Sequence, residues 1–195
     1  MKRFFAFTVI LFTVLSASAQ LFKKSDTGID LNNIGTIPVV NGKVTFEETI
    51  PAKGLNKSDI ESIIDSWIKE RFVEPTVISA KLFNSEKPNT TILKGEEYLV
   101  FKNTFLVLER ARIYYFLTLT ANDGSCTFNM SRITYWYDDE DDKGGLKMKA
   151  EEWITDENAI NKKGVLKKFE GKFRCKTIEL KETLVKELEE RLNNK

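Results

Sequence analysis

Hydrophobic and polar positions alternate from Lys43 to Ile50, where Val44, Phe46 and, less cleanly, Glu48 and Ile50 fall on one side. That period predicts a strand, which Pro51 and Gly54 punctuate. Asn56 then stands where a helix would be capped, with Asp59 and Glu61 at its positive end. Ile60, Ile63, Ile64, Trp67 and Ile68 recur at helical spacing and predict one apolar stripe from Lys57 to about Phe72. After Pro75, strands are expected at Val77–Phe83, Thr91–Lys94 and Tyr98–Lys102, then at Arg112–Thr120 and Thr127–Tyr137. The last two flank Asp123-Gly124, a strong hairpin signal. A closing helix from Thr177 to about Leu192 follows from Leu180, Leu184, Leu188 and Leu192, with Glu182–Lys186 and Glu187–Arg191 as outward pairs.

Taking Asp123-Gly124 as a two-residue loop fixes a register. Leu119 faces Phe128 and Leu117 faces Met130, which makes a core face. The opposite face is wet near the turn, with Thr120 against Thr127 and Thr118 against Asn129. Strict alternation carried further puts Tyr114, Phe116, Ile133 and Tyr135 together on that opposite face. The sheet would then be apolar on both sides, and something must cover the second one. Two covers are expected alternatives: a partner, or residues 146–175 folding back with Trp153 and Phe169 as plugs.

A strand, a helix, a run of strands and a closing helix, in that order, predict an α+β domain: an antiparallel sheet with helices packed on one face. The segment Gly42-Lys43-Val44-Thr45-Phe46-Glu47-Glu48-Thr49-Ile50, then Gly54-Leu55-Asn56-Lys57, leads into the Trp67 helix. Together with the Ala111–Tyr137 hairpin, Gly171-Lys172-Phe173-Arg174 and Lys176-Thr177-Ile178, it resembles an uncharacterised exported domain of Bacteroidota with a TATA-binding-protein-like (TBP-like) fold. The resemblance spans about residues 40–192. It implies a fold and no functional residues, and a fold alone does not license DNA binding. The organisation expected is a signal peptide at 1–19, an N-terminal lead at 20–40, a TBP-like domain at 41–137, and an acidic loop, basic segment and closing helix at 138–195 packed on the same domain.

Lys2 and Arg3, the apolar run Phe4–Leu15, and Ala17-Ser18-Ala19 have the layout of a secretory signal peptide, with Gln20 as the expected mature N-terminus. The run is shorter than the roughly 20 residues of a membrane-spanning helix. No transmembrane segment is expected after cleavage, and the protein is placed in the periplasm or at the outer membrane. Loss of Lys2 and Arg3 turns the formal charge of +1 into −1. A near-neutral exported chain lacks the basic field of a nucleic-acid binder.

The 195 residues include no histidine, which excludes His-based triads and His-ligated zinc. Cys126 and Cys175 are left as either a disulfide, worth on the order of 4 kcal/mol by loop entropy, or two free thiols. The acids of Asp138–Asp142 are read as a solvated loop, so no metal is expected, and no cofactor motif occurs. Seven basic residues between Lys162 and Lys176 could touch lipid headgroups or compensate that loop. The function expected is a non-catalytic binding or assembly module of the cell envelope. Its partner would be an envelope protein, a glycan or an apolar ligand, met at Tyr114, Phe116, Ile133 and Tyr135. The rival is a His-independent hydrolase using carboxylates of the acidic loop.

Overall fold

The structure, a computed structural model, describes residues 35–138 and 144–193. The expected signal peptide, most of the N-terminal lead and Asp139–Asp142 of the acidic run lie outside the described residues. In chain order the elements are β1 (Val39–Val40), β2 (Lys43–Pro51), α1 (Lys57–Arg71), β3 (Val77–Phe83), β4 (Thr90–Thr104), β5 (Val107–Asn122), β6 (Ser125–Tyr137), β7 (Leu146–Lys149), α2 (Ala150–Trp153), α3 (Asp156–Ala159) and α4 (Lys168–Asn193). The strands form one sheet in the order β1-β2-β6-β5-β4-β3, with β7 on the same edge of β6 as β2. Every pairing is antiparallel. This is an α+β domain, as expected.

The α1 start follows its sequence. Asn56 accepts from the Asp59 amide at 3.0 Å, and Asp59 accepts from the Asn56 amide at 3.3 Å, a reciprocal cap. The hairpin turn joins in, because Asp123 accepts from the Lys57 amide at 3.0 Å and Gly124 donates to the Leu55 carbonyl at 2.9 Å. The Asp123-Gly124 turn thus clasps the loop that launches α1. Leu119 faces Phe128 and Leu117 faces Met130 as the two-residue loop requires.

Helices α1 and α4 meet each other and pack on the inner sheet face. There Phe46, Ile50, Leu93, Ile113, Leu117, Leu119, Phe128 and Met130 are buried against Ile60, Ile64, Trp67, Leu184 and Leu188. At about 1.5–3 kcal/mol per fully buried large apolar side chain, this face is what holds the domain together. Gly95 has a steric role on it: a Cβ would sit 2.6 Å from the Tyr115 ring, so only glycine lets that tyrosine reach Glu97.

Three expectations change. The two short strands at 91–94 and 98–102 are one continuous β4, because Gly95 to Glu97 keep the ladder to β5. The closing helix begins nine residues earlier, at Lys168, since Phe169 and Phe173 continue its apolar side. Neither expected outward pair forms: Glu187 turns inward to Arg71 of α1 at 3.1 Å and Arg191 meets Glu70, while Glu182 goes to Lys181 at 2.6 Å and Lys186 to Glu190 at 3.8 Å along α4 itself. A buried cation draws a carboxylate more strongly than an exposed helical neighbour does.

Candidate functional site

Alternation in β6 fails at one residue. Phe116 pairs with Ser131 and Tyr114 with Thr134, so Arg132 and Ile133 together oppose Tyr115. This is a β-bulge, and Arg132 sits in the left-handed region at φ 53°. One extra residue moves everything beyond it to the other face. Ile133 and Tyr135 therefore lie on the inner face, each 1% exposed, and the expected four-residue patch of Tyr114, Phe116, Ile133 and Tyr135 does not exist. Tyr135 donates to the Thr177 hydroxyl at 2.8 Å, which in turn donates to the Phe173 carbonyl at 2.8 Å. Burial raises its phenol pKa well above the ordinary value.

Tyr114 and Phe116 do stand on the outer face, half-buried, and the bulge gives them Thr134 and Trp136 as companions. The missed residues had a signal. Cys126, Phe128 and Met130 are spaced by two, as are Ile133, Tyr135 and Tyr137, but the polar doublet Ser131-Arg132 shifts the two series out of phase.

The expected plugs are elsewhere too. Trp153 and Phe169 lie on the inner side, with ring centroids 5.9 Å apart, and Phe169 meets Tyr137 at 5.2 Å. Lys172 caps this cluster at 4.3 Å from Phe169 and 4.7 Å from Phe101 and Tyr137, and it pairs with Glu109. Other cations of the basic segment also have local partners: Arg174 with Asp156 at 2.5 Å and Lys176 with Glu179 at 2.7 Å. From Lys168 on, the segment is a packed part of α4, whereas Lys162 and Lys163 are exposed in the turn before it.

The outer face is built in cross-strand rows. Tyr98, Arg112, Trp136 and Lys147 pair in succession across β4, β5, β6 and β7. The next row is Glu96, Tyr114, Thr134 and Lys149. Cations lie over the rings: Arg110 over Tyr98 at 3.9 Å, Lys147 and Arg112 over Trp136 at 4.5 and 5.3 Å, and Lys94 over Tyr114 at 5.9 Å. The bulge residue Arg132 lies over Phe116 at 5.1 Å. Glu96 is an acid of this region, held by Ser79 at 2.9 Å and Arg112 at 3.3 Å. Burial first, and then Glu96, push the Tyr114 phenol pKa up. Towards the hairpin turn the face changes to Thr118, Thr120, Thr127 and Asn129.

Where β5, β6 and β7 meet, an open cleft of about 570 Å³ is lined by Tyr114, Thr134, Trp136, Lys147, Lys149 and Glu152, among others. The Trp136 indole donates to the Gly144 carbonyl at 2.8 Å, which fixes its ring. Gly145 permits that return of the chain, because a Cβ there would lie 2.5 Å from the Asp138 carbonyl oxygen. The cleft joins an anchored aromatic surface to the ammonium groups of Lys147 and Lys149, the latter paired with Glu152 at 2.9 Å, and the Arg112 guanidinium lies beside it over Trp136, a combination suited to an anionic ring compound.

A second polar cluster lies inside. Arg71 reaches Glu97 at 2.8 Å and Glu187 at 3.1 Å, and the buried Tyr115 donates to Glu97. One guanidinium serves two carboxylates here, and burial raises the pKa of the Glu187 carboxyl, which reads as structural pairing beneath α1 and α4. Among the described residues no group of His, Cys, Asp and Glu is placed to hold a metal ion. Cys126 and Cys175 are separate thiols, and burial pushes Cys126 up to about 12. No described helix is long and apolar enough to cross a membrane.

Residues 46–136 match the family described as a domain of unknown function (DUF4468) with TBP-like fold. A crystal structure of a DUF4468 family protein from Bacteroides ovatus is 29% identical with a TM-score of 0.73, over 83% of this chain and 93% of that one. A TBP-like protein from Parabacteroides distasonis shares the fold at 24% identity and a TM-score of 0.65, over 81% of this chain and 97% of that one. No curated protein matches the chain.

Proposed function

We propose that this chain, which carries the DUF4468 domain with its TBP-like fold, is an exported, non-catalytic binding module of the cell envelope whose ligand is an acidic glycan. The observation that carries the reading is the Arg112–Trp136–Lys147 row beside the 570 Å³ cleft. A pyranose presents an apolar C–H face to an aromatic ring, and a uronate or sulfate group takes charge-assisted hydrogen bonds from the flanking cations. Lys147 has a flexible stem, so its ammonium can leave the indole for a carboxylate. A wholly apolar ligand fits less well, because the rings are topped by cations and the cleft is open. The hydroxyl-rich rows of Thr118, Thr120, Thr127 and Asn129 extend the surface for a longer chain. Export rests on the Lys2–Ala19 pattern.

Calorimetric titration with polygalacturonate and with a neutral glucan tests the reading. Binding of the acidic polymer alone, weakened at least about tenfold by Trp136→Ala and by Lys147→Ala, is expected. Equal binding of the neutral glucan, or unchanged affinity in both variants, would refute it. Stronger retention on a DNA oligonucleotide would move the face to nucleic acid, and release of new reducing ends would favour the rival hydrolase.

A further inference from the structure

The hairpin of β4 and β5 outruns the sheet. The neighbouring strands stop at the pairs Val77–Glu97 and Ala111–Tyr137, whereas β4 and β5 continue to Thr104–Val107. From Ala111 to Leu106 the arm projects roughly 15 Å at strand rise. Its two-residue loop is Phe105-Leu106, where hairpin turns ordinarily carry Asn, Asp or Gly. Phe105 is 101% exposed, Leu106 85%, Leu108 55% and Val107 44%.

Polarity on this arm is sorted along its axis rather than between its faces. The consecutive apolar residues 105–108 point to both sides of the hairpin, so a flat protein surface could cover only part of them. The charges come further back, as the pair Lys102–Glu109 and then Arg110. Glu109 is engaged by Lys172 and by Tyr137 at 3.0 Å. An apolar tip with cations set behind it matches the depth profile of a lipid surface, hydrocarbon first and phosphate above. We infer that the Phe105-Leu106 tip inserts into the outer part of a lipid bilayer, with Lys102 and Arg110 at headgroup level. This inference is independent of the glycan reading, which uses the outer sheet face. Asp138 opens an acidic run at the same end of the sheet, so attraction rests on apolar burial and is expected to survive high salt.

The apolar run Phe4–Leu15 would also seek lipid in the full chain, so the measurement is made at the tip itself. Phe105→Trp is mixed with phosphatidylcholine vesicles containing phosphatidylglycerol. The expected result is a blue-shifted emission over the parent's, quenched by bromine on the acyl chains, with Leu106→Ser in that background weakening the lipid response roughly tenfold. Emission unchanged by vesicles would overturn the inference. A blue shift that needs no lipid and grows with protein concentration would overturn it as well, by assigning the tip to a second copy of the chain. Because the tip is solvent-exposed, both substitutions are expected to leave the circular dichroism spectrum intact.

Discussion

The two faces of the sheet carry similar residue types and treat them differently. On the inner face each prominent cation meets an acid: Arg71 meets Glu97 and Glu187, Lys181 meets Glu48, and Arg174 meets Asp156. On the outer face Lys94, Arg132 and Lys147 lie over aromatic rings instead. An internal ion pair neutralises charge that has lost its water, and removing one partner leaves the other stranded. A cation over an exposed ring keeps most of its hydration and can be drawn to an incoming anion. The first arrangement fixes a core, and the second leaves charge that a ligand can use.

The harshest way to break this contrast is to delete Arg132. Without the bulge, Ile133 and Tyr135 would turn to solvent and Thr134 and Trp136 into the core. Loss of the cooperative thermal transition is expected by circular dichroism. Next comes a paired substitution read by urea denaturation. Tyr135→Ala empties a fully buried site bonded to Thr177 and is expected to cost about 3–5 kcal/mol. Tyr114→Ala on the outer face is expected to cost about 1 kcal/mol or less. Equal costs would mean that the outer face is core as well.

The smallest effect is one of pH. The hydrogen bond from Lys172 holds the Glu109 carboxyl below its ordinary value of 4.5, and Tyr137 adds to it. A carboxylate depressed in the folded state stabilises above its unfolded pKa, and that contribution fades as pH falls through the folded value. Wild type is therefore expected to exceed Glu109→Gln by a constant margin at neutral pH, narrowing below about pH 4.5 in acid titrations of the urea midpoint.

Much of the fold was legible because the signals were local. Asn56 and Asp59 wrote the α1 cap, Asp123-Gly124 wrote the hairpin, and Leu184, Leu188 and Leu192 wrote the seam of α4. The site was only half legible. Tyr114 and Phe116 precede the turn on a strand without interruption, so parity placed them correctly. Ile133 and Tyr135 lie beyond a bulge, where a period-two rule gives the wrong face. The cation over each ring was not legible at all, because residues such as Lys147 and Trp136, or Lys94 and Tyr114, become neighbours only when strands pair.

The bulge also limits how such a surface can change over generations. Substitutions at Tyr114, Thr134, Trp136 or Lys147 alter what the outer face offers without touching the interior. A single-codon insertion or deletion between Met130 and Ile133 is a different kind of event, since it exchanges inside for outside along the rest of β6 and on into β7. The outer face is thus free to drift by replacement but locked against slippage, and Arg132 is the reading frame that keeps the two vocabularies apart.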